Sequence, residues 1–262
     1  MALLAAVALA AGIYPLAKAL RANRPTTLWQ PLVWALLAWS AWIGVAWVRV
    51  SWQGGEDQLA AYGALCLTGC AGIAVLGARR PGASAWNFVV LGLLAVLLLP
   101  ILNGMGELRL ETAQVIFLLV TLLVPVLNYL PTRLGPSALL TAAGCSWEMM
   151  RLLGGTAPAD LSWLGLLFLA LAPWTAWTAL AIQRPTASEV DRLWLAYRNR
   201  FGFVWGQRMR EQFNRAAHHA GWPVVLRWSG LHTTASESSP DVAALVATLR
   251  AVLKRFESEP RP

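Results

Sequence analysis

The chain has 262 residues, of which 57% are hydrophobic and only 13% charged, where an average soluble domain has roughly 25% charged residues. A mean hydropathy of +0.53 and a net charge of +8 accompany that balance, and together they exclude an ordinary water-soluble globular protein. The charges are also uneven: between Arg133 and Arg184 stand only Glu148, Arg151 and Asp160, whereas they crowd the residues after Arg184, so a membrane part is followed by a basic tail.

A helix needs about 20 mainly apolar residues to cross the hydrocarbon core. Seven stretches qualify, at 2–17, 31–48, 59–78, 85–102, 113–130, 136–153 and 161–182. The predicted fold class is an all-α polytopic membrane protein with six to seven transmembrane helices in residues 1–184 and a small, mainly helical tail. The first stretch is short and the sixth is the least apolar. No basic residue precedes the first, and Lys18, Arg21 and Arg24 follow it, which predicts a retained anchor rather than a secretory signal.

Basic residues recur on alternate loops, at Lys18, Arg21 and Arg24, then Arg79 and Arg80, then Arg133, then Arg184 and Arg192. Acids dominate the intervening loops, as Glu56 and Asp57, Glu107 and Glu111, and Asp160. The arginine rule then predicts a multi-pass protein of the cell membrane with its N-terminus outside and its tail in the cytoplasm.

Between Trp29 and Trp52, in and beside the second stretch, lie six of the 15 tryptophans. Trp29, Trp47 and Trp52 fall near its ends, as interfacial anchors do. Trp34, Trp39 and Trp42 are deeper and spread around the helix at about 100° per residue. Packing and lipid contact are their expected roles, and a groove for a quinone, pigment or sterol-like ligand is the alternative. Cys66 and Cys70 share a helix face and Cys145 lies apart, which predicts free packed thiols. Pro15, Pro100, Pro125 and Pro173 fall inside stretches where they can kink or break a helix, a device many transporters use.

Ionisable residues within a span are the usual markers of a transport path. The candidates here are Glu148 and Arg151, three positions apart and so on one helix face. Their expected role is an interfacial ion pair, with a proton or substrate path as the alternative. Metalloprotease, nucleotide-loop and serine-elbow motifs are missing, and no histidine lies in a span, so no cofactor or metal is evident.

The tail opens with a basic amphipathic juxtamembrane region, 185–232. Ser188 and Asp191 resemble a capping box with Asp in place of Glu, and Val190, Leu193, Trp194, Tyr197, Phe201, Val204 and Trp205 then recur at helical spacing. The stripe shifts near Gly202 and Gly206, which fits either one long helix or two shorter ones with a bend. An in-plane helix is expected, with Trp194, Tyr197, Phe201 and Trp205 toward the membrane and Arg198 and Arg208 toward anionic headgroups. Packing on the tail itself or on a protein partner is the alternative. Seven arginines against three acids in 185–232 are too few for a nucleic-acid surface, so no nucleic acid is expected.

After a strand-like run at 224–228 comes a polar linker, 233–240, and then a C-terminal amphipathic helix within 241–262, capped by Ser239 with Pro240 first. Its stripe, including Leu245, Leu249, Val252 and Phe256, must be covered by something. His218 and His219 point different ways and predict a solvated helix end. The expected function is non-enzymatic, a subunit or scaffold whose tail docks a membrane-associated complex. Small-solute or lipid transport is the alternative, and an interface enzyme using Glu211 or His218 as base is the second.

Overall fold

The computed structural model describes residues 2–51, 57–79, 83–103, 108–154, 161, 163–182, 188–233 and 241–257. Trp52, Glu56, Arg80, Glu107, Asp160, Arg184, Ser239 and Pro240 lie outside them, as does the linker beyond Thr233.

Helices α1 (Ala2–Ala11) and α2 (Ile13–Ala22) follow one another across Gly12 and make one apolar rod. After them come α3 (Trp29–Ser51), α4 (Asp57–Ala74, extended by a 3-10 turn to Gly77), α5 (Ala83–Asn103), α6 (Thr112–Tyr129), α7 (Gly135–Leu152) and α8 (Leu164–Ala181). Among the described residues six helical stretches are long and apolar enough to cross a membrane: the α1–α2 rod, α3, α4, α5, α6 and α8. This part of the chain is an all-helical membrane architecture. Helix α7 has the same length as α6 and α8 but is not among the six. Its Gly, Ser and Thr residues, together with Glu148 and Arg151, lower its hydropathy.

Lipid chains are as apolar as leucine, so helices in a bilayer associate through close packing and polar cross-links rather than through exclusion of water. Both are present. Gly72 of α4 lets Pro125 of α6 lie where a Cβ would stand. The three deep indoles each donate to a neighbouring helix: Trp34 to Asn87 Oδ1 at 3.3 Å, Trp39 to the Leu9 carbonyl at 2.8 Å, and Trp42 to Thr68 Oγ1 at 2.9 Å. Helices α2, α3, α4, α6, α7 and α8 form a ring in which each packs on the next, with the seam from α8 back to α2 the slightest. Helix α5 lies outside the ring on α4, where Tyr62 donates to the Leu97 carbonyl at 2.6 Å. Cys66, Cys70 and Cys145 are buried free thiols.

The tail consists of α9 (Glu189–His219), an antiparallel hairpin of β1 (Val224–Arg227) and β2 (Gly230–Thr233), and α10 (Val242–Leu253) with a closing 3-10 turn to Phe256. Ser188 caps α9 by accepting from Asp191 N, in keeping with the sequence. The cap of α10 is Asp241 rather than Ser239: its carboxylate accepts from Ala243 N at 2.9 Å.

The aromatic stripe expected on lipid or a partner faces inward. Trp194, Tyr197, Phe201 and Trp205 are buried in one core with Leu245, Leu249 and Phe256, with Val252 partly buried at its edge. The chain's own hairpin and second helix supply the cover, so these rings present no docking surface. Arg198 likewise turns inward, donating to the Trp228 carbonyl at 2.6 Å with its guanidinium 5.0 Å from that indole ring. Arg208 stays exposed and lies over Trp205. The juxtamembrane region and the C-terminal helix are therefore one packed unit, and Leu28, Val75 and Ala78 from the ends of the membrane helices complete its core.

Gly202 makes that packing possible. Its φ of 80° and ψ of −166° interrupt α9, and the break re-registers the second half so that Met209, Phe213 and Ala217 face the same core as Trp194 and Phe201. The gap in the helix ladder is filled from the membrane side. Asn128, at the end of α6, accepts from Val204 N at 3.0 Å through Oδ1 and donates to the Phe201 carbonyl at 3.5 Å through Nδ2. A Cβ at residue 202 would run into this amide. Gly202→Ala is therefore expected to cost about 1–3 kcal/mol from the backbone conformation alone, and to loosen the tail. Limited proteolysis and thermal unfolding of the purified protein will read both effects, and a variant with an unchanged melting temperature and an equally resistant tail would show that the break does not hold it.

Candidate functional site: an apolar cavity between a charged floor and the tail

The membrane helices have a tail end, where Leu28, Val75 and Ala78 meet the tail, and a far end. At the far end α3, α4 and α7 are tied together by charges. Arg49 forks onto Glu148 at 3.0 and 2.6 Å and reaches Asp57 at 3.1 Å; Arg151 reaches the same two carboxylates at 3.4 Å each. The Glu148 side chain is fully buried and that of Arg49 is 10% exposed. Glu148 and Arg151 do pair along one helix face, as their spacing predicts. The dominant partner of Glu148, however, is Arg49, 99 positions away in sequence, which no local pattern reveals. Two cations and two anions make a neutral cluster, the condition for placing charge in low dielectric.

Above this floor the ring lines a half-open cavity of about 530 Å³, within the range of about 300–1,000 Å³ common for ligand pockets. Each helix contributes its tail-side half. Helix α3 lines the cavity as far as Trp42, short of Arg49; α4 lines it from Thr68, past Asp57; α7 lines it between Ser137 and Ser146, just short of Glu148. The walls are otherwise mainly Leu, Ala, Val and Pro, with Pro125 and Pro173 among them. Trp39 and Trp42 belong to the wall, while Trp34 does not.

Most polar groups of the wall are already engaged. Thr68 donates to the Ala64 carbonyl, Ser137 to Ala172 of the neighbouring helix, Thr141 to Ser137, and Tyr129 to the Arg200 carbonyl at 3.0 Å. The tail end differs. Asn23 and Arg200 line it, and Asn23 Oδ1 is buried without a hydrogen-bond partner. Arg21, Arg24 and Arg200 pair with no carboxylate among the described residues. Burial, and after it the nearby Arg133, lower the proton affinity of Arg198.

No other chemistry assembles. Among the described residues no three His, Cys, Asp or Glu side chains converge as metal ligands would. Glu211 and His218 line a shallow recess on the outer face of α9 with Arg210, Arg215 and His219, away from the cavity. The chain matches no protein-family model, no characterised protein and no solved structure.

Breaking a buried ion pair on one side only is costly, about 3–5 kcal/mol, because a charge is left uncompensated. Arg49→Met alone is therefore expected to destabilise the protein by that order, and the charge-neutral double variant Arg49→Met with Glu148→Gln to recover most of it, since Arg151 and Asp57 remain paired. Unfolding in detergent of the two single variants and the double gives the coupling directly. A double variant as unstable as the sum of its parts would refute the floor as a charge-balanced unit.

Proposed function

We propose that the protein is a non-enzymatic lipid-handling membrane protein, which holds an amphiphile in the cavity with its apolar body between the helices and its head toward the tail. The observation that carries this reading is the cavity: mainly apolar along its walls, ending short of the neutralised charges at the far end, with a cation and an unpartnered acceptor beneath the tail. A half-open space of this size with a mainly hydrocarbon lining has its best complement in a lipid chain. It also replaces Glu148 as the centre of a transport reading, because both arginines already engage that carboxylate.

In this reading α7 is a seventh span, supported by its length and by its packing between α6 and α8. The tail then lies in the cytoplasm, supported by Lys18, Arg21, Arg24, Arg79 and Arg133 at the tail end. Access from the bilayer follows the α2–α8 seam, flanked by the aromatic group of Tyr14, Trp174 and Trp177, with Lys18 5.1 Å from the Trp177 ring. Pro15, in the first turn of α2, and Pro173, inside α8, stand next to that group, and Pro173 weakens the backbone ladder of α8 there.

Docking of a membrane-associated complex is a second reading. It now rests on the tail's outer face, where Arg210, Glu211, Arg215 and the two histidines border a recess of about 340 Å³.

Purification in a mild neutral detergent, followed by native mass spectrometry and lipid extraction, tests the leading reading. The wild type is expected to retain a lipid at about one per chain. Ala142→Trp, which puts an indole into the cavity from α7, is expected to lose it while helical content is kept; Ala38→Phe does the same from α3 should the first variant fold poorly. A wild type that carries no lipid and takes up none when offered would sink the proposal.

A further inference from the structure

Building on the lipid reading, we infer that the amphiphile carries both an anionic oxygen and a hydroxyl donor in its head, as a lysophosphatidate does, and that Arg200 and Asn23 read those two features. Along the cavity wall Thr68, Ser137, Thr141 and Tyr129 each spend their hydroxyl proton on a main-chain carbonyl, and Ser146, which does not, lies at the far end, two residues before Glu148. What remains at the tail end is one acceptor and one cation.

The acceptor is fixed by its own hydrogen bond. Asn23 Nδ2 donates to the Ala19 carbonyl at 2.8 Å, so the amide is oriented and the free atom is Oδ1. A buried carbonyl oxygen without a partner is costly, and a ligand O–H relieves that cost where a bare carboxylate could not. The cation is Arg200. It stands on α9 two residues before the Gly202 break, and the Asn128 and Tyr129 contacts to residues 200–204 hold this stretch of the tail over the end of α6. Its guanidinium is exposed at the cavity rim and pairs with no carboxylate among the described residues. Phosphate oxygens fit such a fork best. Of the acids at the tail end, Glu189 is committed to Arg250 at 2.7 Å and Asp191 to Leu231 N at 2.7 Å and to Ser188, while Glu257, bridged to Thr26, is exposed. Neither Glu189 nor Asp191 is free to compete with an anion for Arg200.

The test is equilibrium binding of radiolabelled oleoyl lysophosphatidate, oleoylglycerol and oleate to the purified full chain in neutral detergent. These share one chain and differ in head: charge with hydroxyl, hydroxyls alone, and charge alone. The wild type is expected to prefer lysophosphatidate to oleoylglycerol by about tenfold, the size of one charge-assisted hydrogen bond. Arg200→Gln, whose main-chain carbonyl still serves Tyr129, is expected to bring the two within about twofold, and oleate is expected to bind the wild type more weakly than lysophosphatidate. Equal binding of lysophosphatidate and oleoylglycerol, or a preference that survives Arg200→Gln, overturns the role of Arg200. Oleate binding as tightly as lysophosphatidate overturns the role of Asn23. In each of those cases binding that Ala142→Trp abolishes leaves the cavity reading standing, whereas absence of binding by all three chains removes both.

Discussion

The forked contact between Arg49 and Glu148 is the constraint on which the membrane part depends. Helices in a bilayer gain little from hiding apolar surface from one another, so a space between them persists only if something other than hydrophobic pressure fixes their spacing. Here α3, α4 and α7 are fixed at the far end by four neutralising charges, and at the tail end by bonds to a folded cap. Between those ties the helices can diverge. Pro125, seated against Gly72, and Pro173, beside the Ser137 to Ala172 bond, line the cavity where neighbouring helices approach closely.

The cap is more than a tether. A tail this small buries little core alone, and it makes up the difference by taking Leu28, Val75 and Ala78 from the ends of the membrane helices. Its polar stitching is equally mixed. Thr27 bonds to Ala78 and Phe256, Trp205 to the Val75 carbonyl, Trp228 to the Pro131 carbonyl, and Asn199 accepts from Arg133 N. Membrane part and tail thus form one cooperative structure, and the position of Arg200 at the cavity rim follows from it.

Much of this fold was legible in the chain because the bilayer imposes a length and a hydropathy that need no knowledge of neighbours. The span limits fell within a few residues of the helices, and Ser188 announced the start of α9. The first span is the largest miss, running to Ala22 rather than 17. The tail stripes were also visible, but a stripe says only that a face is covered, not by what. Periodicity also assumes an unbroken helix, so the positive φ of Gly202 hid the fact that both halves of α9 bury their apolar faces together. The site was least legible. Its walls are Ala and Leu like any span, and the pairing of Arg49 with Glu148 joins segments whose approach only the fold creates. Asn23 and Arg200 carry no motif; an unpaired acceptor becomes a signal only once its burial is known.

The two ends of the cavity differ in the bonds that hold them, and on the proposed lipid reading this limits what the protein could do with a lipid. Opening the far end means separating a charge network in which each unpaired member costs several kcal/mol. Opening the tail end or the α2–α8 seam disturbs neutral hydrogen bonds and aromatic edges, which are worth about 0.5–1.5 kcal/mol each. On the proposed reading, an amphiphile with its head under Arg200 would therefore enter and leave on the tail side of the membrane. Such a geometry suits a protein that takes a lipid from one leaflet and presents its head to the tail, and it disfavours one that carries the lipid from one face to the other.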